Sequence, residues 1–395
     1  MHIKPSTRID DASGARIFVQ IASYRDSELP RTIRSCLDNA THPQRLTFGI
    51  CSQYGPETRC DLDEFHDDPR FRIELLDFRE SHGCCWARHR VNRLYEDEEF
   101  TLQIDAHMRF APGWDDRLIA MLGVIDDDKP LLTTYPPHYH RVDGVDILDT
   151  SAGVQRLILV RLKSDLTTRQ KTELVPSTVR PGESRFVAAG FIFTLGRFCK
   201  DVEYDPNLYF AGEEIALAAR AFTQGYSFYY PNENLIWHYY DHSAPLHWSD
   251  HSDRQTQLHA RAMVRLRKLL AGNHEDLGRY GLGEVRTLRD YERYAGIDFK
   301  GTLERSLIKQ PTRFVRRVTL DTRDIEARED YECWVFCLMD DEEAELYRDD
   351  IVDPELLAKK RATIDIDAEL EDTPTKYLLW PKAPDGWGPR LIYDL

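Results

Sequence analysis

The chain is short of basic residues, of cysteine and of long apolar runs, and each shortage narrows the reading. Across 395 residues, 52 Lys and Arg stand against 68 Asp and Glu, a net charge of −16. Wrapping nucleic acid needs a Lys/Arg footprint that displaces counterions, so this balance argues against a nucleic-acid partner. It argues equally against docking on an anionic membrane surface. No stretch reaches the run of about 18 apolar residues that crosses a bilayer, so no transmembrane helix is predicted. Met1 to Gly14 is polar, without an apolar signal core, and the expected location is cytoplasmic. Eight cysteines are too few for a disulfide scaffold at this length. Adjacent Cys84 and Cys85 suit neither a ring nor a zinc ribbon, and the cysteines are expected to be reduced, mostly buried thiols. There is no internal repeat and no low-complexity segment. No G-x-G-x-x-G and no Walker lysine follow the first apolar run, which disfavours a dinucleotide-binding dehydrogenase and a P-loop ATPase.

What is present is a globular composition, 42% hydrophobic and 30% charged, long enough for two or three domains. Residues 16–22 (RIFVQIA) form a β-favouring apolar run. Residues 26–39 read as a helix, 46–51 and 71–76 as strands, 84–94 as a helix and 101–104 as a strand. This alternation predicts an α/β domain with a mostly parallel sheet, whose ligands bind at the carboxyl ends of the strands. From Tyr135 to Arg185 only one short apolar run, 157–162, interrupts a segment rich in charge. So long a segment without clear structure predicts a functional loop or lid. Order resumes at 186–195, and helices are predicted at 213–224, with Gly225 as its C-cap, and at 259–270. From about Pro311 the alternating runs 316–320, 333–339 and 362–366 predict a small all-β, sandwich-like domain. Residues 301–395 hold 23 acidic and 14 basic side chains, so −9 of the −16 lies there.

The sharpest constellation is Gln103-Ile104-Asp105-Ala106-His107. Residues two apart on extended backbone share a face, so Asp105 and His107 can converge on one ion. Oxygen plus imidazole suits Mn²⁺ or a similar divalent cation better than a thiolate-seeking one. The plainer reading is a strand-end turn with a histidine packed beside Arg109. His238, just after another apolar run, is a candidate third ligand, with His242 and His247 as competitors. Gly212-Glu213-Glu214 opens a helix; two acids there complement the helix dipole, or one faces a ligand. Ser23, Tyr24, Arg25 and Asp26 follow the first strand, where α/β folds bind nucleotides, although Ser-x-x-Asp also reads as a helix start.

Several blocks, in one order, resemble a known family: IFVQIASYRD (17–26), GCCWARH (83–89), LQIDAHMRFAPGWD (102–115), FVAAGFIF (186–193), FAGEEIALAARAFTQGY (210–226) and RTLRDYERYAGIDF (286–299). The family is that of the α-N-acetylglucosaminyltransferases that modify protein hydroxyproline, best known from a cytoplasmic ubiquitin-ligase subunit. A weaker similarity is to the mucin-type polypeptide N-acetylgalactosaminyltransferases. The resemblance implies a GT-A fold, a nucleotide-sugar-binding Rossmann-like catalytic domain spanning about 1–300. It implies UDP-GlcNAc as donor, a divalent cation, usually Mn²⁺, and retention of the anomeric configuration. Asp105 and His107 match the metal motif, with His238 chosen as the later ligand. Ser23, Tyr24, Arg25 and Asp26 fall on the nucleoside loop and Arg88 near uridine or phosphate. Ala189, Gly190 and Glu213 fall on the blocks lining the donor sugar. Glu214 stands where the mucin-type enzymes carry Asn, and both Glu213 and Glu214 enter as candidate catalytic residues.

The resemblance leaves the acceptor open. The segment 135–185 is expected to hold acceptor specificity. The acidic domain 311–395 lies outside the match; it stands equally as a binder of a basic acceptor, a homodimerisation module or a cover. The expected reaction moves N-acetylglucosamine to a peptide or protein hydroxyl of hydroxyproline, Ser or Thr. A glycan or polysaccharide acceptor is the alternative, and a non-catalytic sugar- or protein-binding module is the third reading.

Overall fold

The computed structural model describes residues 14–395 apart from 60, 177, 241–244, 309–311, 327, 329, 342, 344, 360, 371 and 385. The chain forms two compact units that divide at Thr302/Leu303. The first begins β1 (Ile17–Tyr24), α1 (Leu29–Asn39), β2 (Leu46–Tyr54), β3 (Phe71–Asp77), α2 (Cys84–Asn92) and β4 (Phe100–Ile104). It continues β5 (Met108–Phe110), α3 (Trp114–Gly123), β6 (Pro130–Thr133), β7 (Tyr139–Val142), β8 (Val145–Leu148), β9 (Gln155–Leu162) and β10 (Thr168–Leu174). Then come β11 (Gly182–Ser184), β12 (Phe191–Leu195), α4 (Phe198–Asp201), α5 (Glu213–Thr223), β13 (Ser227–Tyr230) and β14 (Ile236–His238). The helices α6 (His247–Asp250), α7 (Ser252–Ala271) and α8 (Leu288–Ala295) follow, and α9 (Phe299–Ile308) runs across the division.

The main sheet has eight strands in the order β11-β13-β6-β12-β4-β1-β2-β3. Strands β4, β1, β2 and β3 run parallel, as do β6 and β13. Strand β12 is antiparallel to both neighbours, β4 and β6, and β11 to β13, so the sheet is more mixed than expected. Its central strands are apolar because both faces are covered. Ile17, Val19, Ile21, Phe48, Ile50, Leu102 and Ile104 are all buried in one core with Ile33 of α1 and Trp114 of α3. Thr32 of α1 donates its hydroxyl to Ala106 O at 2.7 Å and accepts from Met108 N–H at 2.8 Å. A buried helix thus pins the turn that carries Asp105 and His107.

Several expected boundaries move: the helix expected at 259–270 begins at Ser252, and the strand expected at 46–51 runs to Tyr54. Helix α1 starts at Leu29, because Asp26 turns back to accept from Glu28 N–H at 2.9 Å. Only 191–195 of the 186–195 run is strand; 186–190 is a turn that delivers Ala189 and Gly190 to the carboxyl edge of β4. The segment 135–185 departs from expectation most. It folds as two antiparallel hairpins, β7–β8 and β9–β10, plus the edge strand β11.

The second unit is β15 (Thr312–Asp321), β16 (Cys333–Met339), β17 (Glu345–Ile351), α10 (Pro354–Leu357), β18 (Arg361–Leu370), β19 (Lys376–Ala383), β20 (Gly386–Trp387) and β21 (Leu391–Asp394). One antiparallel pair, β15–β18, and one antiparallel sheet around β16 and β19 share a core of Val318, Leu320, Trp334, Phe336, Ile366 and Leu379. All described cysteines are free, and five of the seven are fully buried. Among the described residues no helix is long and apolar enough to cross a membrane.

Candidate active site

A cavity of about 690 Å³ opens at the carboxyl ends of β1 and β4, within the range of small-molecule sites. Ala22, Tyr24 and Asp26 line it from the end of β1 and the turn beyond, and Asp105, Ala106 and His107 from the turn after β4. Cys84 and Arg88 of α2, Ala189 and Gly190, Glu213 and Glu214 of α5, and His238 of β14 complete its floor. Ser23 and Arg25, grouped with this site from sequence, do not line it. Successive strand residues point to opposite faces, so Ser23 turns away and is buried. Arg25, at φ 48°, swings out to Glu57 at 2.7 Å and Asp250 at 2.8 Å. Tyr24 lines the wall and donates its hydroxyl to the same Asp250 at 2.7 Å.

On the floor, one carboxylate oxygen of Asp105 and one ring nitrogen each of His107 and His238 lie within 4.8 Å of one another. His238 reaches the site because β14 pairs with β5, placing it opposite Met108. The Nε2 atoms of His107 and His238 are 2.9 Å apart, and His238 Nε2 is 3.4 Å from Asp105 Oδ2. His107 Nδ1 lies 2.7 Å from Asp26 Oδ2. A carboxylate there accepts a hydrogen bond from Nδ1–H and leaves the Nε2 lone pair facing inward, the usual second layer of a metal-bound histidine. Two such nitrogens and a carboxylate oxygen are a donor set for a borderline divalent cation. Among the described residues this is the group that fits a metal. His242 lies outside the described residues. His247 is on the cavity wall but joins Tyr209 at 2.8 Å instead, and burial lowers its pKa to about 4.

Arg88 bridges the acids. Its guanidinium donates to Asp105 Oδ1 at 2.8 Å and to Glu213, and both Arg88 and Glu213 are buried. Burial alone would raise the Asp105 carboxyl, but His238, Arg88 and His107 outweigh it and hold Asp105 well below the usual carboxylate range. Burial likewise opposes charge on His107, yet the Asp26 hydrogen bond and charge raise its pKa. Gly190 is required by close approach: a Cβ there would sit 2.5 Å from Asp105 Oδ2. Gly212 caps α5 at φ 81°, a conformation favouring glycine, so that Glu213 and Glu214 open the helix at the cavity. The two acids face different partners. Glu214 accepts from Tyr135 OH, Ala189 N–H and Gln170 instead of Arg88, and burial pushes it up to about 7.

Several site residues went unread in the sequence. Gln103 donates to Ala189 O at 2.6 Å and to Tyr204 OH at 2.8 Å, buttressing the floor. Its place two residues before Asp105 is a period-two signal that points to the same face. Lys163, Thr167 and Thr168, at the β9–β10 turn, line the cavity, and no spacing rule marks them. Tyr240 stacks against His238 with ring centroids 4.1 Å apart.

Comparison with known proteins gives the family and the fold. The family model described as glycosyltransferase (GlcNAc) matches residues 16–67 and 63–301. No curated relative matches in sequence. Among solved structures, GalNAc-T7 crystallised with UDP, GalNAc and Mn²⁺ is similar at 13% identity and TM-score 0.52, covering 98% of this chain and 72% of that one. At that identity the likeness is one of fold, and the fold is GT-A. S. aureus TarS (residues 1–349) in complex with UDP-GlcNAc also matches, at 11% identity and TM-score 0.38, covering 78% of this chain and 95% of that one.

Proposed function

The chain belongs to the GlcNAc glycosyltransferase family, and from that premise we propose that it transfers N-acetylglucosamine from UDP-GlcNAc to a hydroxyl of a peptide or protein, with Mn²⁺ or a similar cation. The observation that carries this reading is the convergence of Asp105, His107 and His238 beside Arg88 at the sheet's carboxyl edge. Asp105, His107 and His238 would hold the cation. When bound, such a cation supplies Lewis-acid neutralisation of charge developing on a departing diphosphate.

The remaining roles fall to the protein. Asp26 fixes the tautomer and tilt of His107. Arg88, buried and held by two carboxylates, keeps a fixed positive charge beside the diphosphate without reorganising when the bond breaks. Tyr24, at the end of β1, serves the nucleoside, and Ala189 and Gly190 leave room for the sugar. Glu213 gives Oε1 to Arg88 and, in this reading, positions the sugar rather than attacking it. Among the described residues the cavity carboxylates Asp26, Asp105, Glu213 and Glu214 are each tied to a neighbour, and this supports front-face transfer with retention. The acceptor oxygen bonds to C1 as the C1–O phosphate bond breaks, and the acceptor proton passes to the leaving phosphate. The mouth of the cavity suits a peptide side chain: Phe210, Tyr240 and Leu246 stand there at 51%, 50% and 48% exposure. Exposed apolar groups clustered at a polar cavity mark a binding surface.

The test is a screen of UDP-sugars with and without Mn²⁺, reading UDP release, followed by mass spectrometry of a peptide library containing hydroxyproline, Ser and Thr. Metal-dependent release from UDP-GlcNAc and a peptide gaining one N-acetylhexosamine are expected. Products on oligosaccharides alone would move the acceptor to a glycan. Sugar binding without turnover of any donor would replace the enzyme by a binding module.

A further inference from the structure

Glu214 stands beside the reacting region, yet its carboxylate takes its hydrogen bonds from three separate stretches of chain rather than from Arg88. Its Oε1 accepts from Ala189 N–H at 3.0 Å. Its Oε2 accepts from the Tyr135 hydroxyl at 2.7 Å and from Gln170 Nε2 at 3.2 Å. Each stretch carries part of the cavity wall. Ala189 precedes Gly190, which abuts Asp105. Tyr135 follows β6 and precedes Pro136, which also lines the cavity. Gln170 lies on β10, in the hairpin whose turn presents Lys163, Thr167 and Thr168.

We propose that Glu214 is a positioning residue that staples the β9–β10 hairpin and the Tyr135 turn to the donor-sugar edge, and so sets the shape of the acceptor side of the cavity. The strands of the hairpin bury little, and its other anchors lie at its ends: Leu166 in the turn is buried, and Thr134 Oγ1 donates to Gln155 O at 2.9 Å. Strand β10 reads TRQKTEL, with no residue of that strand buried, and β9 has one, Leu157. A hairpin with so little apolar burial depends on specific polar ties for its placement. Gln170 adds a second feature: its Oε1 is buried with no hydrogen-bond partner. An amide flip would therefore let Gln170 accept from an N–H placed at Glu214, so that glutamine can replace the glutamate without breaking the tie.

The experiment compares wild type, Glu214→Ala, Glu214→Gln and Gln170→Ala in the full chain. Hydrogen exchange over 155–174 needs no substrate; the kinetic arm uses UDP-GlcNAc, Mn²⁺ and a peptide chosen in the screen above. Glu214→Ala is expected to raise exchange across the hairpin roughly tenfold, as loss of one or two buried hydrogen bonds implies, with Glu214→Gln within about threefold of wild type. Gln170→Ala is expected to share the effect, and adding it to Glu214→Ala should change little more. In kinetics, KM for the peptide should rise more than kcat falls, and the Gln variant should recover both. Hairpin exchange unchanged in Glu214→Ala overturns the proposal. So does a Gln variant as slow in kcat as the Ala variant, because the carboxylate would then act in the chemistry. The kinetic arm rests on the glycosyltransferase reading; a wild type that releases no UDP refutes that reading, while the exchange arm still decides the staple.

Discussion

At the scale of single residues, the floor of the cavity is set by who holds whom. Asp105 meets Arg88 on one oxygen and His238 on the other. Asp105→Ala should abolish metal-dependent UDP release, a loss of roughly 100-fold or more, and isothermal titration should show weakened Mn²⁺ binding. Asp26→Asn keeps the size of the side chain but loses the charge that fixes His107; Mn²⁺ affinity should fall about 10–100-fold with the melting temperature little changed. Gly190→Ala drives a methyl toward Asp105 Oδ2, so UDP release should collapse in a protein that still folds, as judged by circular dichroism. The Asp105/His107 pair was legible because a spacing of two at a strand end needs no tertiary knowledge, and the turn between β4 and β5 keeps both on the cavity. The same rule, applied to Ala22, Ser23 and Tyr24, would have removed Ser23 from the nucleoside group. The tie from Asp26 to His107 was not legible: it spans 81 residues and depends on β1 and β4 being neighbours.

At the scale of elements, the alternation of strands and helices up to Ile104 was readable, since central strands carry unbroken apolar runs. The hairpins were not. Strands β7 and β8 are only four residues each and, like the polar β10, lie mostly exposed or half-buried, so neither periodicity nor a buried run marks them. What anchors β7 and β8 is charge. Glu28, at the start of α1, binds Arg109 of β5 at 2.5 Å and Arg141 of β7 at 2.7 Å, and Asp146 of β8 closes the ring at 2.6 Å to Arg109. Burial alone would raise the Glu28 carboxyl, but the Arg141 and Arg109 bonds bring it down from 4.5 to about 2. Since the folded value lies below the unfolded one, this tie stabilises the fold above about pH 4.5. Its contribution of roughly 3 kcal/mol is lost as pH falls toward 2. Chemical denaturation at pH 6 and pH 3 should show that slope in wild type and lack it in Glu28→Gln. The variant itself should be about 3–5 kcal/mol less stable at pH 6, because two arginines lose a buried partner.

At the scale of the whole molecule, the two units have separate cores and separate charge. Phe336 is fully buried in the core of the second unit. Phe336→Ala should cost that unit about 3–5 kcal/mol and, in calorimetry, move one transition downward while leaving the transition of the first unit in place. The concentration of acid from Gly301 onward was legible from composition, and the mainly β character there from the alternating runs 316–320, 333–339 and 362–366. The pairing of β14 with β5 was not, because a three-residue strand gives no signal of its partner. That pairing has a consequence for folding. His238 is 131 residues from His107, so a cation held by both is a cross-link that closes a long loop. A ligand that binds only the closed form adds about 2.7 kcal/mol of stability at a hundred times its Kd. The cation would thus act as a structural clasp as well as a cofactor, and the midpoint of unfolding should climb with added Mn²⁺ in wild type and stay flat in His238→Ala.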